Sequence, residues 1–258
     1  MKIAVFIKQV PDTDNVQWTE SNNIDRTRMD SILNPVDKQA IEASLRIKEG
    51  TNANVTTITM GPNKAIEILK ESVAMGVDDA ILLCDPKFAG SDTLATSKIL
   101  SSAITQVLPE TNLLIFGQTA IDGETGQTGA CVATRLNMPF VSNVSEITEI
   151  NETHITVISN TDEEQITQKV ELPCAICINN YVFKPRLPRI QGYITSQKHI
   201  YKTYNIYDLG VKENESGLKG SPTYVSKVYR NNETRNGITL DRENTDIKQI
   251  YEEIKKVL

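Results

Sequence analysis

The sequence predicts an α/β fold: a parallel, Rossmann-like sheet with helices on both faces, an added β-hairpin or meander, and an extended C-terminal arm. Three observations carry this. Over the first 140 residues, short apolar runs alternate with helix-period segments about thirty residues apart, the spacing of repeated strand–helix units. The helix starts carry capping residues. After residue 140 the pattern changes to β-rich runs separated by polar turns, and after about residue 184 it becomes irregular.

The apolar runs "KIAVFIK", "ANVTTITM", "DAILLC" and "NLLIF" read as parallel strands. Between them, "NPVDKQAIEASLRIKE", "PNKAIEILKESVAM" and "SDTLATSKILSSAITQV" read as helices. Asn34 is the expected N-cap of the first, with Pro35 at the first helical position and Asp37 in the first turn. Ser91 and Asp92 open another helix in the same way, and Gly76 closes "ESVAM" as a C-cap would. "FVSNVSEITEI", "HITVISN" and "EQITQKVELPCAICI" are the strands of the added hairpin or meander. The chain thus divides into an α/β domain over residues 1–183 and an arm over 184–258 that ends in a short helix, "NTDIKQIYEEIKKVL". So long a stretch with little core of its own is expected to lie on a partner.

The net charge of −6 over 258 residues argues against nucleic acid as the main partner, because phosphate backbones are held chiefly by Lys and Arg. No apolar run approaches the roughly 18 residues of a membrane span. "MKIAVFIKQVPD" is too short in its apolar part for a signal peptide, so the expected compartment is the cytoplasm. Of the four cysteines, Cys174 and Cys177 form a CxxC inside a strand-like run. Positions i and i+3 on a strand face opposite ways, so these thiols are expected to be buried and structural, binding neither metal nor each other.

Parallel α/β sheets bind ligands beyond the carboxyl ends of their strands. After the first strand comes "KQVPDTDN", with neither GxGxxG nor GxxxxGK[ST]. His154 and His199 lie in the β-rich and arm regions, which leaves no Ser-His-Asp or Cys-His arrangement and no self-contained catalytic apparatus. Four segments should converge at the sheet edge: 34–37, 60–62, 88–96 and 118–129. The last lies in "GQTAIDGETGQTGA", which has four glycines, three threonines and no cation. A helix start there offers free N–H groups and a partial positive charge, enough to hold a phosphate without lysine. Gly126 and Gly129 would admit close approach and Thr125 and Thr128 offer hydroxyls, while Asp122 and Glu124 would cap the helix or accept from ribose hydroxyls. A tight Gly-rich turn with an ordinary cap is the alternative.

"AIDGETGQTG", with "NPVDKQAIEASLRIKE", "TMGP", "AMGVDDAILL" and "FAGSDTLATSK", closely resembles the β subunit of electron-transfer flavoproteins, in register to about residue 145 and more loosely beyond. The resemblance implies a fold of the adenine nucleotide α-hydrolase-like superfamily. It also implies an α subunit as heterodimeric partner, carrying FAD. The β subunit would hold AMP in simple members, or a second FAD in electron-bifurcating members that take hydride from NADH. Carried over by position, the nucleotide site would comprise Phe6, Lys8, Asn34, Pro35, Val36, Asp37 and Met60. The loop Asp122, Gly123, Glu124, Thr125, Gly126, Gln127, Thr128, Gly129, Ala130 and on to Ala133 would cradle the phosphates. Gly90, Asp92, Thr93 and Thr96 would lie along a flavin.

"IKQVPDT", "FAGSDTLATS" and "KGSPTYVSKVY" are similar to the bifurcating branch, and "NNYVFKPRLPRIQG" replaces the "LNEPR" stretch of simple members. Gln118 stands where the family usually has Lys or Arg, and Thr119 where it usually has Gln. That removes a charge-assisted contact of about 1.5–3 kcal/mol. The implied function is electron transfer, with FAD or AMP bound and no stand-alone enzymatic activity. Hydride from NADH would reduce the β-subunit flavin. One electron would then pass to the α-subunit flavin and one to ferredoxin or flavodoxin, with an acyl-CoA dehydrogenase-type or other flavin dehydrogenase as further partner. The rival function is an AMP-binding structural or nucleotide-sensing module. An ATP-cleaving member of the superfamily would need a Ser- and Gly-rich loop where "KQVPDTDN" stands.

Overall fold

The computed structural model describes residues 1–12, 31–224, 226 and 246–255. The chain runs β1 (Lys2–Phe6), β2 (Gln9–Pro11), β3 (Ser31–Leu33), α1 (Pro35–Thr51), β4 (Asn54–Met60), α2 (Ile66–Met75), β5 (Asp79–Leu83), α3 (Thr93–Val107), β6 (Leu113–Gly117) and α4 (Thr128–Arg135). Then follow β7 (Phe140–Ile150), β8 (His154–Asn160), β9 (Gln165–Glu171), β10 (Cys174–Ile178), α5 (Ile190–Lys198), β11 (Lys202–Tyr204), α6 (Gly217–Gly220) and α7 (Ile247–Lys255).

Among the described residues nine strands form one sheet in the order β11-β5-β4-β1-β6-β10-β7-β8-β9, parallel from β11 to β7 and antiparallel through the meander β7-β8-β9. β2 and β3 pair separately as a short antiparallel ribbon. The inner parallel strands β5, β4, β1, β6 and β10 are buried on both sides, as in a covered parallel sheet. Ile3, Val5, Leu113, Ile115 and Ile176 pack with α1 and α2, while Ala4, Phe6, Leu114, Phe116 and Ala175 pack with α3 and α4. Cys174 belongs to the first cluster and Cys177 to the second, so the two thiols point to opposite faces, as strand geometry requires.

Two features depart from the sequence pattern. "EQITQKVELPCAICI" is two strands, because Pro173 lacks a donor and ends the run. Its first half closes the meander, and its second half crosses back to lie between β6 and β7. The segment expected as an arm also contributes to its own domain. α5 packs on α2 so closely that a Cβ at Gly192 would collide with the Ala74 carbonyl. β11 extends the sheet beside β5, and Ile206, Leu209 and Val211 are buried beneath α3's face of the sheet. Large apolar side chains nevertheless stay exposed along it, among them Leu187, Ile190, Tyr193 and Ile200. In the quoted stretches "IKQVPDT" and "KGSPTYVSKVY", Thr13, Val225 and residues 227–229 lie outside the described residues, as do 256–258 of the final helix.

Candidate nucleotide site

β1 connects through α1 to β4 on one side, and β6 lies on β1's other side, so the order of connections reverses between β1 and β6. Their carboxyl ends are the topological switch point, where an open α/β sheet leaves a crevice. Phe6, the last residue of β1, and Phe116, the last but one of β6, stack with ring centroids 4.4 Å apart and close the core at these strand ends. Lys8, the Asn34–Asp37 turn and the 117–128 loop converge above it.

Asp37 is buried, and its Oδ2 accepts the Lys8 N–H at 2.8 Å. A side chain at Gly117 would run into its other oxygen, which explains glycine at the end of β6. Burial raises the Asp37 pKa to about 7, although the Lys8 N–H, the Asn34 side chain and the Lys8 charge all work to lower it. Asn34 sits at the N-cap position, but its side chain makes no cap bond. Instead Nδ2 donates to the Thr119 carbonyl at 2.9 Å and ties the first helix start to the Gly-rich loop. With Nδ2 committed to a carbonyl, Oδ1 is left to accept, and among the described residues it has no partner.

The loop from Asp122 to Gln127 is exposed, with positive φ at Glu124 (+49°) and Gly126 (+62°). Asp122 does not cap α4: its Oδ1 receives the Lys8 ammonium at 2.6 Å. Gln127 is the N-cap and makes no side-chain cap bond. The first N–H groups of α4 therefore have no acceptor within the helix. A Cβ at Gly123 would meet nothing among the described residues, whereas one at Gly126 would stand 3.4 Å from the Gln118 carbonyl. Gly129 has another reason to be glycine: a Cβ there would press on the Phe116 and Phe140 rings at 3.1–3.2 Å. It seats α4 on the sheet, and Ala133 is buried on the same face.

Pro35 is exposed at the first position of α1 and Val36 is buried behind it. Met60 is half-buried at the end of β4. Gly90, Asp92, Thr93 and Thr96 form the other rim. Thr93 Oγ1 donates to Thr125 Oγ1 at 3.3 Å across the mouth. The Asp92 carboxylate caps α3, accepting from Ala95 N at 3.0 Å, and also accepts from Thr223. Gln118, which stands where the family usually has a cation, is engaged toward β7 and the segment after β10. Its amide bonds Asn143 at 2.8 Å and accepts from Asn180 N at 3.3 Å. Sequence reasoning did not pick out Asn143; its positive φ (+54°) at a bulge in β7 has no signal in composition.

Residues 21–199 match the model of the electron transfer flavoprotein domain. The chain belongs to the electron transfer flavoprotein β-subunit family. It is 39% identical, over 92% of its length and 91% of the relative's, to the electron transfer flavoprotein subunit beta of Thermoanaerobacterium thermosaccharolyticum. It is similar to the caffeyl-CoA reductase-Etf complex subunit CarD of Acetobacterium woodii, at 37% identity over 89% of this chain and 87% of the other. Acryloyl-CoA reductase electron transfer subunit gamma of Anaerotignum propionicum is 34% identical over 100% of this chain and 98% of its own. Members of this flavoprotein family pair with an α subunit and serve electron transfer. No helix among the described residues is long and apolar enough to cross a membrane.

Proposed function

We propose that this chain is the β subunit of a heterodimeric electron transfer flavoprotein and holds FAD at the β1/β6 switch point. Membership of the family supports an electron-transfer role, and the geometry of the 122–128 loop supports the nucleotide. That loop is the single observation that carries the reading: an exposed turn with two positive-φ residues opens onto uncapped helix N–H groups, and the Asp122 carboxylate is paired with Lys8 rather than capping them. Such a turn suits a pyrophosphate held by backbone donors. Thr125 and Thr128 add hydroxyls, and the unpartnered Asn34 Oδ1 is an acceptor for a hydroxyl or amino donor. The Phe6–Phe116 pair walls off the sheet core below.

FAD, when bound, would supply the redox chemistry by accepting hydride and releasing electrons singly. The chain's residues would bind and orient it: Lys8 and Asn34 on the β1 side, the 122–129 loop at the phosphates, and Gly90, Thr93 and Thr96 along the outer rim. NADH as donor, a partner flavin, and ferredoxin or flavodoxin as second acceptor complete the reading. An acyl-CoA-linked dehydrogenase as terminal partner is in keeping with the CoA reductase complexes for which relatives are named. The visible spectrum of the purified heterodimer, with released nucleotides separated chromatographically, is the test. Two flavins per heterodimer are expected. One flavin with AMP would assign the structural role instead, and no adenine nucleotide would overturn the reading.

A further inference from the structure

Residues 216–223, far from the cradle in sequence, are fastened to its outer rim at Gly217, Leu218, Ser221 and Thr223. A Cβ at Gly217 (φ +57°) would collide with the Lys87 carbonyl, so the two backbones touch. Its N–H donates to Ser91 Oγ at 2.9 Å. Leu218 lies over Gly90, within 2.7 Å of where a Cβ would stand. Ser221 Oγ accepts the Asp92 N–H at 2.8 Å, and Thr223 donates twice to Asp92 Oδ2, from N at 3.1 Å and from Oγ1 at 2.8 Å. Ion pairs of Lys87 with Glu213 at 2.5 Å and Lys98 with Glu215 at 3.7 Å guide the approach. Asp92 is thus shared: one oxygen caps α3 and the other holds this segment. The next residue, Thr93, meets Thr125 of the Gly-rich loop.

We propose that residues 216–223 act as a positioning clasp for the nucleotide site, with Ser221 and Thr223 setting the rim loop 88–93 and, through Thr93 and Thr125, the 122–128 loop. The clasp acts through the loops it holds. It fixes where two binding loops stand relative to each other, so its loosening raises the rate at which nucleotide leaves. This rests on the adenine-nucleotide site proposed above. Coupling between the clasp and the site is reciprocal, as any linkage is: occupancy of the cradle should protect the clasp.

The test uses the full-length protein loaded with FAD, or with AMP if that is the nucleotide carried. Thr223→Val removes one donor at nearly constant volume, and Thr223→Ser retains it. Dissociation from the Val variant should be about threefold to tenfold faster than from wild type, with Ser restoring the wild-type rate. Amide exchange in 88–93 and 216–223 should speed up together in the Val variant and slow together on adding nucleotide. Gly217→Ala, which forces the backbones apart, should reproduce both effects. Wild-type dissociation rates in both Thr223→Val and Gly217→Ala would overturn the clasp alone. So would equal acceleration in the Val and Ser variants. A wild type that takes up neither FAD nor AMP would overturn the site on which the clasp depends.

Discussion

Replacing Asp37 by Asn should stabilise the nucleotide-free protein at pH 8 and do little at pH 4. Asp37 is 6% exposed, and burial moves its pKa from 3.8 to about 7. That is a rise of about 3 units, worth about 1.4 kcal/mol each, or about 4 kcal/mol in all. The folded state binds a proton that the unfolded chain releases near pH 4, so stability is greatest below that point. It then falls as pH rises to about 7 and stays lower beyond. Asparagine removes the charge and keeps an acceptor for the Lys8 N–H, so the variant lacks this decline. Urea unfolding at pH 4, 6 and 8 gives the comparison, with equal slopes as the check on two-state behaviour. The variant should gain steadily on wild type, by up to about 4 kcal/mol at pH 8. A difference independent of pH, or one that favours wild type more at pH 8 than at pH 4, would refute the reasoning.

Arg186 clamps the buried Glu42 at 2.8 and 3.1 Å and holds Glu42 and Glu49 below the usual carboxylate range, against the burial that works to raise Glu42. Arg186→Met should lower stability by about 3 kcal/mol, read from the denaturant midpoint, because a buried carboxylate loses its main partner. Gly129→Ala should cost about 1–3 kcal/mol through pressure on Phe116 and Phe140, seen as a fall in Tm. Burial pushes both the Cys174 and Cys177 thiols up to about 12, so under native conditions iodoacetamide should alkylate Cys84 and Cys131 first. Mass spectrometry should find the buried pair labelled only after unfolding.

The parallel core could be read from sequence because its signals are local. Four apolar runs, a proline at the first position of α1 and a glycine after α2 each declare their element within a few residues. The partnerships that shape the site are not local. Asn34 looks like a helix cap, and only the structure shows its amide spent on Thr119, 85 residues away. Asp92 likewise looks like a cap and is one, but its second oxygen belongs to Thr223, 131 residues on. Gly129 and Gly126 look alike in a Gly-rich string. One seats a helix against two rings and the other supplies a left-handed turn, a difference made by surroundings rather than by residue type. β10 was hidden for a related reason: five apolar residues declare a strand and say nothing of its neighbours.

The position of β10 has a consequence for how the protein is assembled. β6 and β7 follow each other in sequence on either side of α4, yet they do not touch as strands, because β10 lies between them. Among the described residues, all the strand pairing that joins the parallel core to the meander β7-β8-β9 therefore passes through five buried residues, Cys174–Ile178, with the Gln118–Asn143 side-chain bond beside it. During synthesis the core strands and α4 are made first, but the edge of β6 stays open until the meander has been made and the chain has returned. The meander is thus docked late, by a keystone strand whose contacts are all distant in sequence, the kind that form slowly. Until it arrives, β6 presents an apolar, unpaired edge to other chains. A nascent chain arrested before residue 174 should be sticky, and one released a few residues later should close on itself.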